Sequence, residues 1–316
     1  IKMNHKNKIK ETPGRIAFVI INGFFLTALM IVCLYPLLYV VFASFSKPDQ
    51  FIAHQGLLFK PLGLSLLSYQ RAFSHPLIVS GYRNTLIVIV ISLSLSMFLT
   101  CVGAYFLSRK KVLWQKPISF FIIFTMFFNG GLIPTYFAVK NFAVVLPWIS
   151  NGTLTFKSFS IFDTLWALII PGAINTYNLI VLRTGFAAIP DSIEEAAKID
   201  GAGNMTILFR IILPLAKASI AVIVLYYGVE RWNSWFDSSI YINDSNLYPL
   251  QLVLRQILLI NSENSMTAGV DAGDQLAVGE TIKYSVIIIA TLPILCVYPF
   301  LQKYFVKGVM VGAVKG

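Results

Sequence analysis

Thr85-Leu86-Ile87-Val88-Ile89-Val90-Ile91-Ser92-Leu93-Ser94-Leu95-Ser96-Met97-Phe98-Leu99-Thr100-Cys101-Val102-Gly103-Ala104-Tyr105-Phe106-Leu107 runs without a charged side chain. As a helix rising about 1.5 Å per residue, the run spans roughly 35 Å, enough to cross a hydrocarbon core of about 30 Å. In lipid an isolated run has to satisfy its own backbone hydrogen bonds, and no alternating barrel pattern is present, so helix is the conformation available to it. Similar apolar runs predict further spans at Ile16–Ala43, Ile118–Val139, Phe162–Leu182, Leu215–Trp235 and Ile282–Leu301, six in all. Pro36, Pro134, Pro171 and Pro293 lie inside these runs and predict kinks.

Composition agrees: 57% of the 316 residues are apolar and only 12% charged, with a mean hydropathy of +0.74. A soluble domain does not have this balance, and lipid is the expected solvent. The expected class is an all-α integral membrane protein.

Basic residues orient it. The N-terminal tail, the 108–117 loop, the 183–214 loop with Lys217 at its edge, and the C-terminal tail together hold sixteen of the 25 Lys and Arg. The other loops hold nine in a greater length, so the first set and both termini are expected to be cytoplasmic. The chain then divides into a cytoplasmic tail (1–15), a peripheral first span (16–45), an extracellular loop (46–83), a core of five spans (84–302) and a cytoplasmic tail (303–316). Within the core lie a cytoplasmic loop (183–214) and an extracellular loop (237–281), the latter partly helical near Leu250–Leu259. The first span, at nearly 30 residues, is too long for the roughly 7–15 apolar residues of a cleavable signal and is expected to be retained. Met3 is the expected natural start.

Several function classes are excluded. The net charge of +11 is explained by the cytoplasmic bias, and no basic stripe with interleaved aromatics suggests nucleic acid. Cys33, Cys101 and Cys296 all fall in predicted spans without metal-ligand spacing, and His5, His54 and His75 are scattered, so no metal is expected. There is no phosphate loop, nucleophile elbow or carboxylate pair within a span. Glu230, Arg231 and Lys283 are expected near the outer ends of their helices, where long side chains snorkel, so no midplane proton relay is expected either. Active transport would need energy from another polypeptide.

The segment Ile189-Pro190-Asp191-Ser192-Ile193-Glu194-Glu195-Ala196-Ala197-Lys198-Ile199-Asp200-Gly201-Ala202-Gly203 reads as a short helix and a break. Ser192 and Glu195 have the spacing of a capping box, and Gly201 can take the left-handed conformation that ends a helix. Asn204 is expected to cap a second run, Met205 to Leu213, leading to Pro214. Ala196 and Ala197 would give the first helix a small-residue surface that another protein can approach.

Glu195-Ala196-Ala197, three residues, Gly201, nine residues, Ile211, one residue, Leu213-Pro214 resembles the EAA motif of ABC importer permeases, with Asp200 before the glycine also matching. Tyr82-Arg83-Asn84-Thr85-Leu86, Gly131-Leu132-Ile133-Pro134 and Arg231-Trp232-Asn233 extend the likeness to roughly residues 70–316. The chain is similar to the second permease of maltose-type systems, and especially to permeases of Gram-positive importers of oligosaccharides and polysaccharide fragments. The resemblance implies a type I importer fold with a cytoplasmic coupling helix, Ser192 to Asp200, seated in a cleft of the ATPase, with Glu195 available to a basic residue there. It implies a second homologous permease, two cytoplasmic ATPase subunits that bind ATP and Mg, and an extracellular sugar-binding lipoprotein; this chain binds no cofactor itself.

Asn175 and Asn178, three residues apart, are expected to share a face of the fourth span, where they either bond a neighbouring helix or contact sugar. Asn84, at a helix start, reads as a cap, a packing contact or part of the path. Trp232, Asn233 and Trp235 sit at the end of the fifth span, as interfacial aromatics or as the outer mouth. The remaining alternatives are a stand-alone secondary transporter or channel, for which internal repeats and midplane charges would be expected, and a membrane enzyme acting on lipid-linked sugar.

Overall fold

The computed structural model describes residues 12–109, 112–128, 130–150, 153–267 and 273–313. Most of the N-terminal tail with His5, the basic Lys110-Lys111 pair, and the Gly/Asp/Ala-rich stretch at 268–272 lie outside the described residues.

The chain forms two compact units, residues 1–72 with 263–288, and 73–262 with 289–316. In the first, α1 (Pro13–Ser44) has proline in its opening turn, where a missing amide costs nothing, and Pro36 inside it. Its apolar window buries nothing within the chain, which is the signature of a helix solvated by lipid or by another subunit. Only its end is packed: Ala43 joins Phe51 of α2 (Pro48–Ala53) and Leu58 in a small core against Tyr39 and Tyr284. Polar ties complete it, with Tyr69 donating to Ser44 Oγ at 2.9 Å and Ser68 donating to Thr281 Oγ1 at 2.8 Å. Short α3 (Leu67–Ser74) carries both donors.

In the second unit α4 (Pro76–Ser108) contains the run first quoted and opens on a proline. Its buried residues include Gly81, Thr85, Val88, Ser92, Ser96, Thr100, Ala104 and Ser108. This four-residue recurrence of mostly small side chains lets neighbouring helices approach closely, which is how helices associate when lipid removes the hydrophobic drive. Against it pack α8 (Thr176–Ala187) and α12 (Lys217–Trp232). The other elements are α5 (Gln115–Phe127), α6 (Leu132–Asn141), α7 (Trp166–Ile169), α9 (Asp191–Ile199), α10 (Asn204–Ile207), a π turn (Leu208–Ile212), α11 (Leu213–Leu215), α13 (Phe236–Tyr241), a 3-10 turn (Ser245–Leu247), α14 (Leu250–Thr267) and α15 (Gly273–Ala313).

Three helices are long and apolar enough to cross a membrane unbroken, Pro13–Ser44, Pro76–Ser108 and Gly279–Pro299. Two bent pairs raise the number to five: α5 with α6, interrupted between Phe127 and Leu132, and Asn204–Leu215 with α12, bent by 88°. The expected spans Ile118–Val139 and Leu215–Trp235 are therefore not straight helices. The expected Phe162–Leu182 span is also corrected. It is broken between Ile169 and Thr176, where Pro171 lacks an amide and Gly172 follows it.

Three further differences lie between or beyond the expected spans. Ala143–Ser150 and Thr153–Ser160, expected as loop, form an antiparallel hairpin, β1 and β2, with Ala143 opposite Ser160 and Ser150 opposite Thr153. α15 continues as helix to Ala313, through most of what the sequence suggested was a separate tail, with Pro293 and Pro299 inside it. α14 is likewise longer than the expected Leu250–Leu259.

Candidate functional site

The 189–214 segment is built onto the membrane helices. α9 begins after Pro190, and no side chain caps it, so Ser192 lies inside the first turn and the expected Ser192–Glu195 capping box is not formed. α10 likewise starts at Asn204 after Gly203, with no side-chain cap, so Asn204 is not the expected capping residue. The exit from α9 does follow expectation. Asp200 is the C-cap, Gly201 has φ of +80°, its N–H donates to Lys198 O at 3.0 Å, and Ala202 N–H donates to Ala197 O at 2.9 Å. These two bonds are the Schellman pattern. A Cβ on Gly201 would meet nothing within 4 Å, so conformation alone demands the glycine. Gly201→Ala is expected to cost about 1 kcal/mol, read as a small fall in thermal stability with assembly retained.

The two faces of α9 differ. Outward lie Ser192, Glu195, Ala196 and Asp200, together with Ile199 at 86% exposure; Met205 and Phe209 are exposed beyond it. Inward lie Glu194 and Ala197. Ala197 packs in one core with Ile207, Leu208 and Ile212 and with Cys101, Leu107, Leu182, Phe186 and Ile223 of the membrane helices. The expectation that Ala196 and Ala197 both face a partner is therefore corrected for Ala197. Ile211 and Leu213 pack on the same core, and Pro214 is exposed.

Glu194, which the motif spacing did not single out, is the residue that fastens α9. Its carboxylate lies 2.8 Å from Arg109 Nη1 and 2.7 Å from Lys198 Nζ. Arg109 follows the end of α4, is buried, donates to Phe186 O at 3.2 Å, and lies over the Tyr105 ring at 5.2 Å. Arg183 Nε and Gln115 Nε2 both donate to Leu107 O, at 3.0 and 2.8 Å, supplying a carbonyl at the end of α4 with partners. The ends of α4 and α8 and the start of α9 thus form one polar joint around a buried ion pair. An Arg after a long apolar run and two adjacent glutamates on a short helix were visible in the sequence; which glutamate turns inward, and toward what, was not.

A second polar region lies along the broken fourth span. Asn175 is the N-cap of α8, its Oδ1 accepting from Asn178 N–H at 3.2 Å. The two amides therefore do not project from a continuous mid-span face. Asn175 N–H donates to Tyr227 Oη at 3.0 Å, and Tyr227 Oη pairs with Thr100 Oγ1 at 2.8 Å, tying α8, α12 and α4 together. Arg231 is buried rather than snorkelling, and donates to Leu168 O at 3.0 Å and to Gly172 O. It satisfies carbonyls that the break after α7 leaves without helical amides. Beside this region a cleft of about 520 Å³ opens between α8 and α12, with Asn175, Tyr177, Asn178, Tyr226 and Glu230 among its lining residues.

The other expected path residues are mostly engaged within the chain. Asn84 is buried and donates to Asn246 O at 2.7 Å and Tyr248 O at 3.2 Å, a packing contact. Trp232 is buried, with Nε1–H donating to Ala290 O at 3.0 Å and its ring 6.4 Å from Tyr82, so it is neither a headgroup-level aromatic nor an exposed mouth. Asn233 is exposed and bonds back to Val229 O. Trp235 carries the Arg255 guanidinium over its ring at 3.5 Å. Among the described residues no group of His, Cys, Asp and Glu could hold a metal ion, and the three cysteines are free.

Residues 88–311 match the family described as binding-protein-dependent transport system inner membrane component. The chain belongs to this family. Among its relatives, the polygalacturonan/rhamnogalacturonan transport system permease protein YtcP of Bacillus subtilis is 39% identical, covering 96% of this chain and 99% of its own. The maltodextrin transport system permease protein MdxG of the same organism is 30% identical, covering 98% and 100%. A similar solved structure is a chain from a bacterial ABC transporter involved in the import of the acidic polysaccharide alginate, with a TM-score of 0.81 and 26% identity, covering 94% of this chain and 100% of that one. The protein is thus a permease subunit of an ABC importer, a multi-pass component of the cell membrane. It is a transport component and not an enzyme; hydrolysis of ATP belongs to partner ATPases, and importers of this kind also require a partner permease and a substrate-binding protein.

Proposed function

We propose that this chain is one of two homologous permeases that together line an alternating-access pore for oligosaccharides, and that α9 is its coupling helix. Saccharides are the common chemistry in the names of its relatives, which span acidic glycans and maltodextrins. Two cytoplasmic ATPase subunits bind ATP and Mg, an extracellular sugar-binding lipoprotein delivers the substrate, and both termini are cytoplasmic. Six spans result when α7 and α8 are counted as the two halves of one.

The observation that carries the coupling role is the two-sidedness of α9. One side is locked to α4 and α8 through Glu194, Arg109 and Ala197. The other presents Ser192, Glu195, Ala196, Ile199 and Asp200 outward. A helix fixed on one side to membrane helices and exposed on the other can pass displacement from a docked subunit to the pore. ATP shifts such an equilibrium only through its different affinity for the two states, so closure of the ATPase dimer favours the outward-facing pore, and the loaded binding protein does the same.

Glu195→Lys is expected to reduce ATP-driven uptake at least about tenfold while leaving the amount of chain in the membrane unchanged, since Glu195 is exposed and a lost interfacial charge pair costs on the order of 2 kcal/mol or more. Uptake by proteoliposomes holding the whole transporter, with ATPase activity measured alongside, tests this. Undiminished uptake at normal protein level would remove α9 from the coupling role.

A further inference from the structure

The cleft between α8 and α12 contains a carboxylate, Glu230, that makes no ion pair among the described residues. Its depth can be read from helix rise. Glu230 lies thirteen residues along α12 from Lys217, about 20 Å, and the α8 end of the cleft lies about 17 Å from Ala187. Measured from those helix ends, both positions lie inside a core roughly 30 Å thick, about two-thirds and just over half of the way across. An exposed carboxylate at that depth cannot face hydrocarbon; it faces a wet path, and a charge so placed marks function by default.

The rest of the cleft suits a sugar. The Tyr177 and Tyr226 rings lie 6.2 Å apart with their planes at 35°, and both are exposed, at 52% and 38%. Exposed aromatic faces give the C–H faces of a pyranose an apolar platform, while an acceptor nearby takes its hydroxyls. Glu230 is such an acceptor. At the start of α8, Asn178 N–H is bonded to Asn175 Oδ1, and Asn175 N–H to Tyr227 Oη. Among the described residues no cation lines the cleft.

We propose that this cleft is a sugar-contact site on the translocation path, formed by Tyr177, Tyr226 and Glu230, and that Glu230 makes it selective for uncharged pyranose units over uronates. The inference rests on the importer reading above and narrows its substrate class. A uronate carboxylate held several Å from Glu230 meets like-charge repulsion worth roughly one to two decades in affinity at an effective dielectric of about 20.

The test uses the whole transporter in lipid nanodiscs without the binding protein, so that only the pore is probed. Trigalacturonate and its carboxyl-reduced product, the neutral α-1,4-galactotriose, share linkage and ring stereochemistry and differ in charge. Saturation-transfer NMR at neutral pH is expected to detect the neutral trisaccharide and to place the uronate at least about tenfold weaker. Glu230→Gln should bring the two within about twofold, and Tyr226→Ala should remove both signals. Equal binding of the two by the unmodified transporter, binding of neither, or discrimination that survives Glu230→Gln would overturn the proposal. ATPase activity of the same samples separates the two failures. A complex that hydrolyses ATP yet fails the sugar test loses only this site, whereas a chain that assembles with no ATPase refutes the importer reading before sugar is added.

Discussion

Glu194→Gln is expected to loosen α9 from the membrane helices, costing about 3–5 kcal/mol and removing most ATP-driven uptake. Both partners of the Arg109–Glu194 pair are desolvated, with side-chain exposures of 9% and 8%. Removing the Glu194 charge leaves the buried Arg109 guanidinium only the exposed Asp191 carboxylate, 3.7 Å away, which costs more than the intact pair contributes. Lys198 is a contrasting control. It also contacts Glu194, but its side chain is 52% exposed, so Lys198→Ala should cost no more than about 0.5 kcal/mol. The double variant Arg109→Leu, Glu194→Leu should recover part of the stability, since apolar groups replace the pair, though Phe186 O loses the donor it has now. Thermal unfolding of the assembled transporter reads all four proteins. Equal effects for Glu194→Gln and Lys198→Ala would show that the joint is a surface contact.

Gly172→Ala is expected to be of similar size and to act through Arg231. A methyl group at position 172 would overlap the Arg231 guanidinium, which is confined by its bonds to Leu168 O and Gly172 O. The buried cation has to move, leaving two carbonyls unpartnered at a cost of about 1.5–3 kcal/mol each. Arg231→Met removes the bonds without the collision, and the pair can be compared in a double-mutant cycle. Gly172→Ala on the Arg231→Met background should add less than about 1 kcal/mol, because the overlap has gone. A full additional loss there would show that Gly172 is required for some other reason.

The sequence read well wherever one local rule decided the outcome. Long uncharged runs such as 85–107 could only be helices in lipid, and Gly201 ends α9 because few other residues accept a φ of +80°. It read less well where a rule depends on what comes next in space. Pro171-Gly172 was legible as a kink, yet the chain breaks there completely because Asn175 starts a new helix and Arg231, sixty residues on, supplies the donors that stabilise the break. The Ser192–Glu195 spacing satisfied a capping box, but Pro190 had already set the start of α9 two residues earlier.

The candidate site divides the same way. Ser192, Glu195, Ala196 and Asp200, singled out in the sequence, do lie outward on α9, whereas Ala197 turns inward and the outward Ile199 was not singled out. Glu194 was hidden beside them, because spacing does not reveal which of two adjacent glutamates turns inward toward Arg109, 85 residues away. Asn84 read as a cap, a packing contact or part of the path, and Trp232 as an interfacial aromatic or the outer mouth; both are internal ties, the packing reading holding for Asn84, and their partners, Ala290 for Trp232 and Asn246 for Asn84, are remote in sequence. Tyr177, Tyr226 and Glu230 were missed for the converse reason. They converge only because α8 begins beside α12.

The most direct test of the coupling account is affinity purification of this chain from native membranes, comparing it with the Glu195→Lys, Ile199→Asp double variant and quantifying what accompanies each. A second permease is expected with both forms and an ATPase with the unaltered chain alone. A chain that comes out by itself and carries solute in liposomes without ATP would contradict the account.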